Sequence, residues 1–458
     1  MSLISNAIPL SNRQHIWLPK HLLVAGSAWI SRIIVALVQL ASVRFLITGL
    51  GLEQYSVFAL LMGLGGWYAL ADFGVGVSVQ NHVSESRAKV KPQEGYTLAA
   101  GVLAIFFLVM TIGLLYLVSP YIGPLFLKQF AFMDDPEKVK MFATVGALLI
   151  GTSIGGIAYK IWYAEQKGYW SNIVPAIASL IGLGGIALVN QSAVPDKLYL
   201  SLVTYILPAA ALPLIALLYQ IVTSAKKVAT FDANCFTQIV RRAGHFWGFA
   251  IMAAAVLQID YVVMSQFLKA YDITVYNIST KVFGLAFFIY GAVLAALWPI
   301  FAENIANQNW KVVKARTKKY LSLGLAFMAL CSLSLIWLMP VAVRILAPYE
   351  KLVVPPALIV FLGIYYMVRV WTDTFAMILQ SMSDLRPFWI YVPIQAVISV
   401  VLQWTLAPIF GLYGILLGLL ASFVLTVSWA LPFAVKKHYQ FHQDFNNDDK
   451  TINLYSNL

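Results

Sequence analysis

The sequence predicts an all-α polytopic membrane protein of about 12 transmembrane helices, in two six-helix halves around a central cavity. Of its 458 residues, 60% are hydrophobic and only 11% are charged, too little polar surface to cover soluble domains of that total size. The apolar residues fall in runs of about twenty, the length an α-helix needs to cross roughly 30 Å of hydrocarbon. Between the runs lie short polar stretches, so the backbone satisfies its hydrogen bonds in helices rather than in barrel strands.

The first run, 22–47, is too long for a signal-peptide core and lacks a small-x-small cleavage site, so it reads as the first span. The others follow at 54–79, 98–118, 141–163, 171–190, 198–222, 244–268, 273–301, 319–340, 353–378, 387–408 and 411–434. A net charge of +12 would suit nucleic acid in a soluble protein, but in a membrane protein basic residues report orientation. With the N-terminus cytoplasmic, the inside segments hold nineteen of the 31 Lys and Arg, among them Arg13, Arg241, Arg242, Lys318 and Lys450, against seven outside. Both termini are therefore expected in the cytoplasm, and a nucleic-acid partner is not.

The basic inside stretches 223–243 and 302–318 are the longest of their kind, and the first divides the spans six and six. This gives an N-terminal lobe 1–222, a cytoplasmic linker 223–243, a C-terminal lobe 244–434 and a cytoplasmic tail 435–458. A shift of 221 residues lays Tyr55-Ser-Val-Phe58 over Tyr276-Asn-Ile-Ser279 and Gly63-Leu64 over Gly284-Leu285. Two repeats of equal orientation would be related by an axis along the membrane normal, with substrate between them. Gly151 with Gly155 and Gly414 with Gly418 have the spacing that lets helix backbones approach closely. Pro208, Pro213, Pro299, Pro393 and Pro432 each remove a helical hydrogen bond and are expected to bend their spans.

Chemistry at a catalytic centre finds little support. Gly151-Thr-Ser-Ile-Gly155 fits the nucleophile-elbow pattern but lies inside a span, without the strand-turn-helix setting. No phosphate-binding loop or zinc spacing occurs, and Cys235 and Cys331, expected in a cytoplasmic loop and a helix, suggest neither disulfide nor metal. No enzyme activity, cofactor or metal is expected.

Charges inside spans are sharper signals, because a cation near the bilayer centre costs several kcal/mol and is normally kept only facing a bundle interior or a wet cavity. Arg32, Lys281 and Arg369 are the deepest. They point to a cationic cavity for an anionic substrate, since guanidinium and ammonium groups match phosphate or carboxylate oxygens. Pairing of Arg369 with Asp373 at i, i+4 is the competing reading. Asp72, Asp260 and Asp373 are candidates for coupling transport to protons or sodium. Asp72, just before Phe73-Gly-Val-Gly76, could equally orient a broken helix end, and Asp260 could pair with Arg32 or Lys281.

The chain resembles the enterobacterial O-antigen transporters, polysaccharide-lipid flippases of the multidrug/oligosaccharidyl-lipid/polysaccharide exporter superfamily. The resemblance spans nearly the whole chain. It is carried by His21–Ser27 with Val38–Val43, Asp72-Phe-Gly-Val-Gly76, Gly156–Lys160, Leu257-Gln-Ile-Asp-Tyr261, Ala296–Pro299 with Ala302-Glu303, and Arg369-Val-Trp-Thr-Asp373 followed by Leu379–Met382. It implies a flippase that moves an undecaprenyl-pyrophosphate-linked O-antigen repeat unit from the cytoplasmic to the periplasmic face of the bacterial inner membrane, in lipopolysaccharide biosynthesis. The implied partners are that lipid-linked oligosaccharide, membrane lipids, and the O-antigen polymerase and chain-length regulator. By the same analogy Arg32, Lys281 and Arg369 handle the headgroup. A drug or metabolite exporter of the same superfamily is the alternative, one that a cationic lumen disfavours for organic cations.

Overall fold

The computed structural model describes residues 20–228, 232–382 and 384–440. The expected basic residues Arg13 and Lys450, the start of the N-terminal lobe and most of the tail 435–458 lie outside them. Among the described residues there is helix and no strand. In order the helices are α1 (Lys20–Gly63), α2 (Gly65–Tyr68), a 3-10 turn (Ala69–Asp72), α3 (Val75–Ala88), α4 (Glu94–Phe126), α5 (Asp135–Gly155), α6 (Ile157–Ala164), α7 (Gly168–Gln191) and α8 (Lys197–Ala225). The second half follows with α9 (Ala233–Leu257), α10 (Ile259–Phe267), α11 (Ala270–Ala306), α12 (Trp310–Leu346), α13 (Pro356–Ser381), α14 (Arg386–Phe410) and α15 (Leu412–Leu425). Beyond a break at Thr426 the last helix continues to Gln440.

Among the described residues ten helices are long and apolar enough to cross a membrane, or eleven when the bent pair α9 and α10 is taken as one span. The shortfall against about twelve arises in the first of them, Gly26–Asp72, an apolar run of 47 residues. As one helix it would reach about 70 Å, twice the hydrocarbon thickness. Gly51 interrupts it at φ 75°, ψ 175°, extended backbone of the hand that glycine reaches without strain. Contacts show the chain reversing there. Ser31 donates to the carbonyl of Asn172 and Arg87 to that of Ala164, so both lie near the start of α7, whereas Asn190 near its far end bonds the Phe45 carbonyl.

Helix starts follow local chemistry. The carboxylate of Asp134 accepts from the Glu137 N–H at 2.8 Å ahead of α5, and Asp232 accepts from Asn234 at 2.8 Å ahead of α9, each satisfying an orphan donor. That second cap starts a helix inside the expected linker 223–243, and Cys235 sits buried in its first turn rather than in a loop. Two further breaks also fall away from the prolines. One is at Phe73 and Gly74, both left-handed at φ 49° and 76°; the other bends α9 against α10 by 41° at Gln258. Gly74 has no alternative, because a Cβ there would collide with the Ala243 carbonyl.

The small-residue pairs do what their spacing suggests. A Cβ at Gly155 would lie 2.8 Å from the Leu214 nitrogen of α8, and one at Gly418 2.6 Å from that of Gln403 in α14, so these helices touch through their backbones. Ser153, the centre of the elbow-like string, donates to the Ala69 carbonyl at 2.9 Å and serves packing. Large apolar side chains such as Leu117, Trp337 and Ile409 are exposed around the outside, the surface of a multi-pass membrane protein.

Candidate functional site

Two helix faces form the cavity of interest. On α1, Arg32, Ala36 and Gln39 recur at i, i+4, i+7; on α11, Lys281, Gly284 and Phe288 recur at i, i+3, i+7. Each set forms one stripe along its helix. The stripes face each other across a cavity of about 520 Å³, with Pro175 of α7 and Thr280 completing the wall. The Arg32 guanidinium stands 5.8 Å from the Phe288 ring, and Gly284 keeps the α11 wall low. Arg32 and Lys281 thus line one space, and among the described residues neither forms an ion pair. Guanidinium and ammonium donors open to one cavity are the chemistry that anionic oxygens complement.

Arg369 is held differently. It donates to Asp373 Oδ2 at 3.1 Å and to the Tyr365 hydroxyl at 3.1 Å, and lies 5.0 Å from the Phe287 ring. It borders a second, smaller cavity of about 170 Å³ between α9, α13, α14 and α15. The expected trio is therefore divided: α11 presents Phe288 to Arg32 and Phe287 to Arg369, and the latter already has a carboxylate.

The carboxylates separate in the same way. Asp72 accepts from the Gly74 and Gly76 N–H groups at 2.9 and 3.3 Å, so it caps α3 after the break. Asp260, buried on α10, accepts from the Tyr261 N–H at 2.9 Å and from the Tyr276 hydroxyl. Among the described residues it pairs with neither Arg32 nor Lys281, because those cations point into the cavity while Asp260 faces Tyr276. Among the described residues no three His, Cys, Asp or Glu side chains gather to hold a metal.

Sequence reasoning missed the seam that joins the halves beside this cavity. Buried Tyr55 donates to Asn277 Oδ1 at 2.7 Å, and Asn277 Nδ2 donates to the Tyr261 hydroxyl at 2.9 Å. Trp67 donates to the Gln258 carbonyl at 3.1 Å and Trp247 to that of Leu70 at 3.0 Å. Further along, Ser78 bonds the Ile239 carbonyl at 3.0 Å and Arg242 pairs with Glu85 at 2.7 Å. Bare glycines let these helices close: a Cβ at Gly63 would strike the Tyr261 ring, and one at Gly66 the Gln258 side chain. The repeat alignment held only a faint signal, since it lays Tyr55 over Tyr276, the neighbour of Asn277, which is the residue Tyr55 bonds.

Comparison with known proteins places the chain among relatives of the same length. A Yersinia pseudotuberculosis protein named for O-antigen export is 39% identical over 420 residues, covering 91% of this chain and 96% of that one. The chain belongs to the O-antigen transporter family. A Salmonella typhimurium family member named as an O-antigen transporter is 38% identical over 415 residues, again covering 91% of this chain and 96% of its own. No family model matches. Two solved structures, each 14% identical, share the family member's fold. The lipid II flippase MurJ in an inward closed conformation superposes with a TM-score of 0.69 over 91% of this chain and 87% of its own. An inward-facing multidrug resistance MATE transporter of the MOP superfamily gives 0.61 over 93% and 99%.

Proposed function

We propose that this chain is a flippase rather than an enzyme, and that it moves an undecaprenyl-pyrophosphate-linked O-antigen repeat unit from the cytoplasmic to the periplasmic face of the inner membrane. The observation that carries the reading is the unpaired Arg32 and Lys281 facing each other across one cavity of about 520 Å³. A pyrophosphate offers several anionic oxygens to two such cations, and guanidinium binds phosphate in fixed geometry. The names of the relatives and the fold shared with a lipid II flippase support the same substrate class. The fold is shared with multidrug transporters too, but a cationic cavity without a lining carboxylate repels the organic cations that a drug exporter would carry.

In this reading Arg32 and Lys281 hold the headgroup, while Arg369, neutralised by Asp373, supports the C-terminal lobe and contacts substrate only if the lobes rearrange. Asp260 is the carboxylate best placed for ion coupling, since Asp72 caps a helix and Asp373 is paired. Lobes 1–222 and 244–434 rock about the seam, and the polymerase and chain-length regulator receive the product. Counting the reversal at Gly51 as a span boundary gives twelve spans with both termini cytoplasmic.

The test is complementation of a flippase-null strain. Arg32→Ala and Lys281→Ala should each lose the lipopolysaccharide O-antigen ladder while immunoblots show normal membrane levels, and Lys281→Arg should retain part of it. Normal ladders from both alanine variants would overturn the assignment.

A further inference from the structure

A second basic site lies at the other end of the C-terminal lobe, where α14 begins and the last helix ends. Between them is a groove of about 610 Å³ lined by Arg386, Lys437 and His438 at one end and by Ile390, Tyr391 and Phe433 along its length. Its walls are fixed by Asp384. One oxygen of that carboxylate lies 2.8 Å from His438 Nε2, and the other accepts from the Arg386 N–H at 3.3 Å. Burial raises the Asp384 pKa, but these hydrogen bonds and the neighbouring positive charges outweigh it and hold the carboxyl below its ordinary value. Asp384 is therefore occupied as an anion by His438 and backbone. Among the described residues neither the Arg386 guanidinium nor the Lys437 ammonium makes an ion-pair contact with a carboxylate, and Arg386 acts on Asp384 only from a distance.

The groove changes character along its length. Beyond the basic end, Ile390 is 57% exposed and Phe433 66% exposed, with Trp429, stacked edge-on against Tyr391 at 5.3 Å, 52% exposed beside them. Exposed aliphatic and aromatic side chains running on from two cations match a molecule with a phosphate at one end and hydrocarbon at the other. Free phosphate would use only the basic end and leave the apolar length unexplained. Basic residues at a helix end also gain from the anionic surface of the membrane.

We propose that this groove binds one anionic phospholipid, its phosphodiester held by Arg386 and Lys437 and its acyl chains lying on Ile390 and Phe433. The site is separate from the cavity of Arg32 and Lys281, and the lipid is a bound partner there rather than cargo.

The test is native mass spectrometry of the full-length protein in detergent with added phosphatidylglycerol or phosphatidylethanolamine. Wild type should retain phosphatidylglycerol over phosphatidylethanolamine by about thirtyfold, the scale of two basic contacts at a membrane surface. R386Q/K437Q should retain the two lipids equally, R386K/K437R should keep the preference, and R32A/K281A should keep it too. Thermal unfolding of each variant checks that the fold survives, and R386K/K437R carries the comparison if the glutamine pair does not fold. Equal retention by wild type, an unchanged preference in R386Q/K437Q, loss of preference in R386K/K437R, displacement by millimolar inorganic phosphate, or loss of preference in R32A/K281A would each overturn the proposal. The last would place the lipid in the transport cavity.

Discussion

Arg369 and Asp373 stand one helical turn apart with side chains only 20% and 34% exposed, so each is the other's main compensation for leaving water. Asp373→Asn keeps the shape but leaves a guanidinium facing a neutral amide, and removing one partner of such a pair costs about 1–3 kcal/mol. Thermal unfolding of purified protein should show that loss. In the double variant Arg369→Leu/Asp373→Asn most of it should be recovered, because the uncompensated charge has gone. Equal destabilisation in single and double variants would mean that the pair contributes packing alone. Arg32 and Lys281 should behave in the opposite way: each alanine variant abolishes transport with little change in unfolding temperature, since no internal partner is left bare. That difference was half legible in the sequence. The i, i+4 spacing of Arg369 and Asp373 exposes their pairing directly, and the depth of Arg32 and Lys281 marks them as costly. Their meeting depends on which face of α1 packs against α11, a tertiary fact that one chain's periodicity does not contain.

At the scale of elements, the helices were readable because hydropathy runs of about twenty residues have few other solutions in a bilayer. Their ends and breaks were less so. Trp310–Leu346 begins nine residues before its expected span, because its first turns carry Lys311, Lys314 and Arg316 on a helix that has left the hydrocarbon. Prolines mark expected bends, yet breaks also fall at Gly51, where Asp72 takes over the N–H groups of Gly74 and Gly76, and at Gln258. Proline announces a lost hydrogen bond in the sequence, whereas a capped break shows only when the cap finds its donors. The seam is the clearest case: Asn277 lies 222 residues from Tyr55, and nothing local foretells their bond. Asn277→Ala would leave the buried Tyr55 hydroxyl without its acceptor, at about 1–3 kcal/mol, and would take one partner from the Tyr261 hydroxyl, a cost relieved if the lobes part and water enters. With Cys235 and Cys331 replaced by Ser, cysteines at Gln129 and Gln266, whose parent residues touch at 2.8 Å, should cross-link readily. Asn277→Ala should slow that cross-linking about tenfold or more, the factor that 1.4 kcal/mol provides. An unchanged rate would show that the asparagine does not hold the lobes together.

For the molecule as a whole, the number of spans decides on which side of the membrane each end lies. Eleven would put the termini on opposite faces; twelve would put them on the same face, the arrangement that the distribution of Lys and Arg predicts. The difference rests on Gly51. If the apolar run Gly26–Asp72 turns back there, Glu53 and Gln54 meet the periplasm together with Asp196 and Tyr349, while Lys89, Lys227 and Lys318 meet the cytoplasm. The contacts that bring Arg87 to Ala164 and Asn190 to Phe45 fit this out-and-back path. Single cysteines at these positions, in protein lacking Cys235 and Cys331, should divide accordingly with a membrane-impermeant thiol reagent on intact cells. Glu53, Asp196 and Tyr349 should label from outside, and the three lysine positions only after the membrane is opened. Protection of position 53 alongside labelling of position 89 would break the twelve-span path. It would also count against the proposed two-fold relation of the lobes, and with it against a site between Arg32 on α1 and Lys281 on α11 that opens alternately to the two faces.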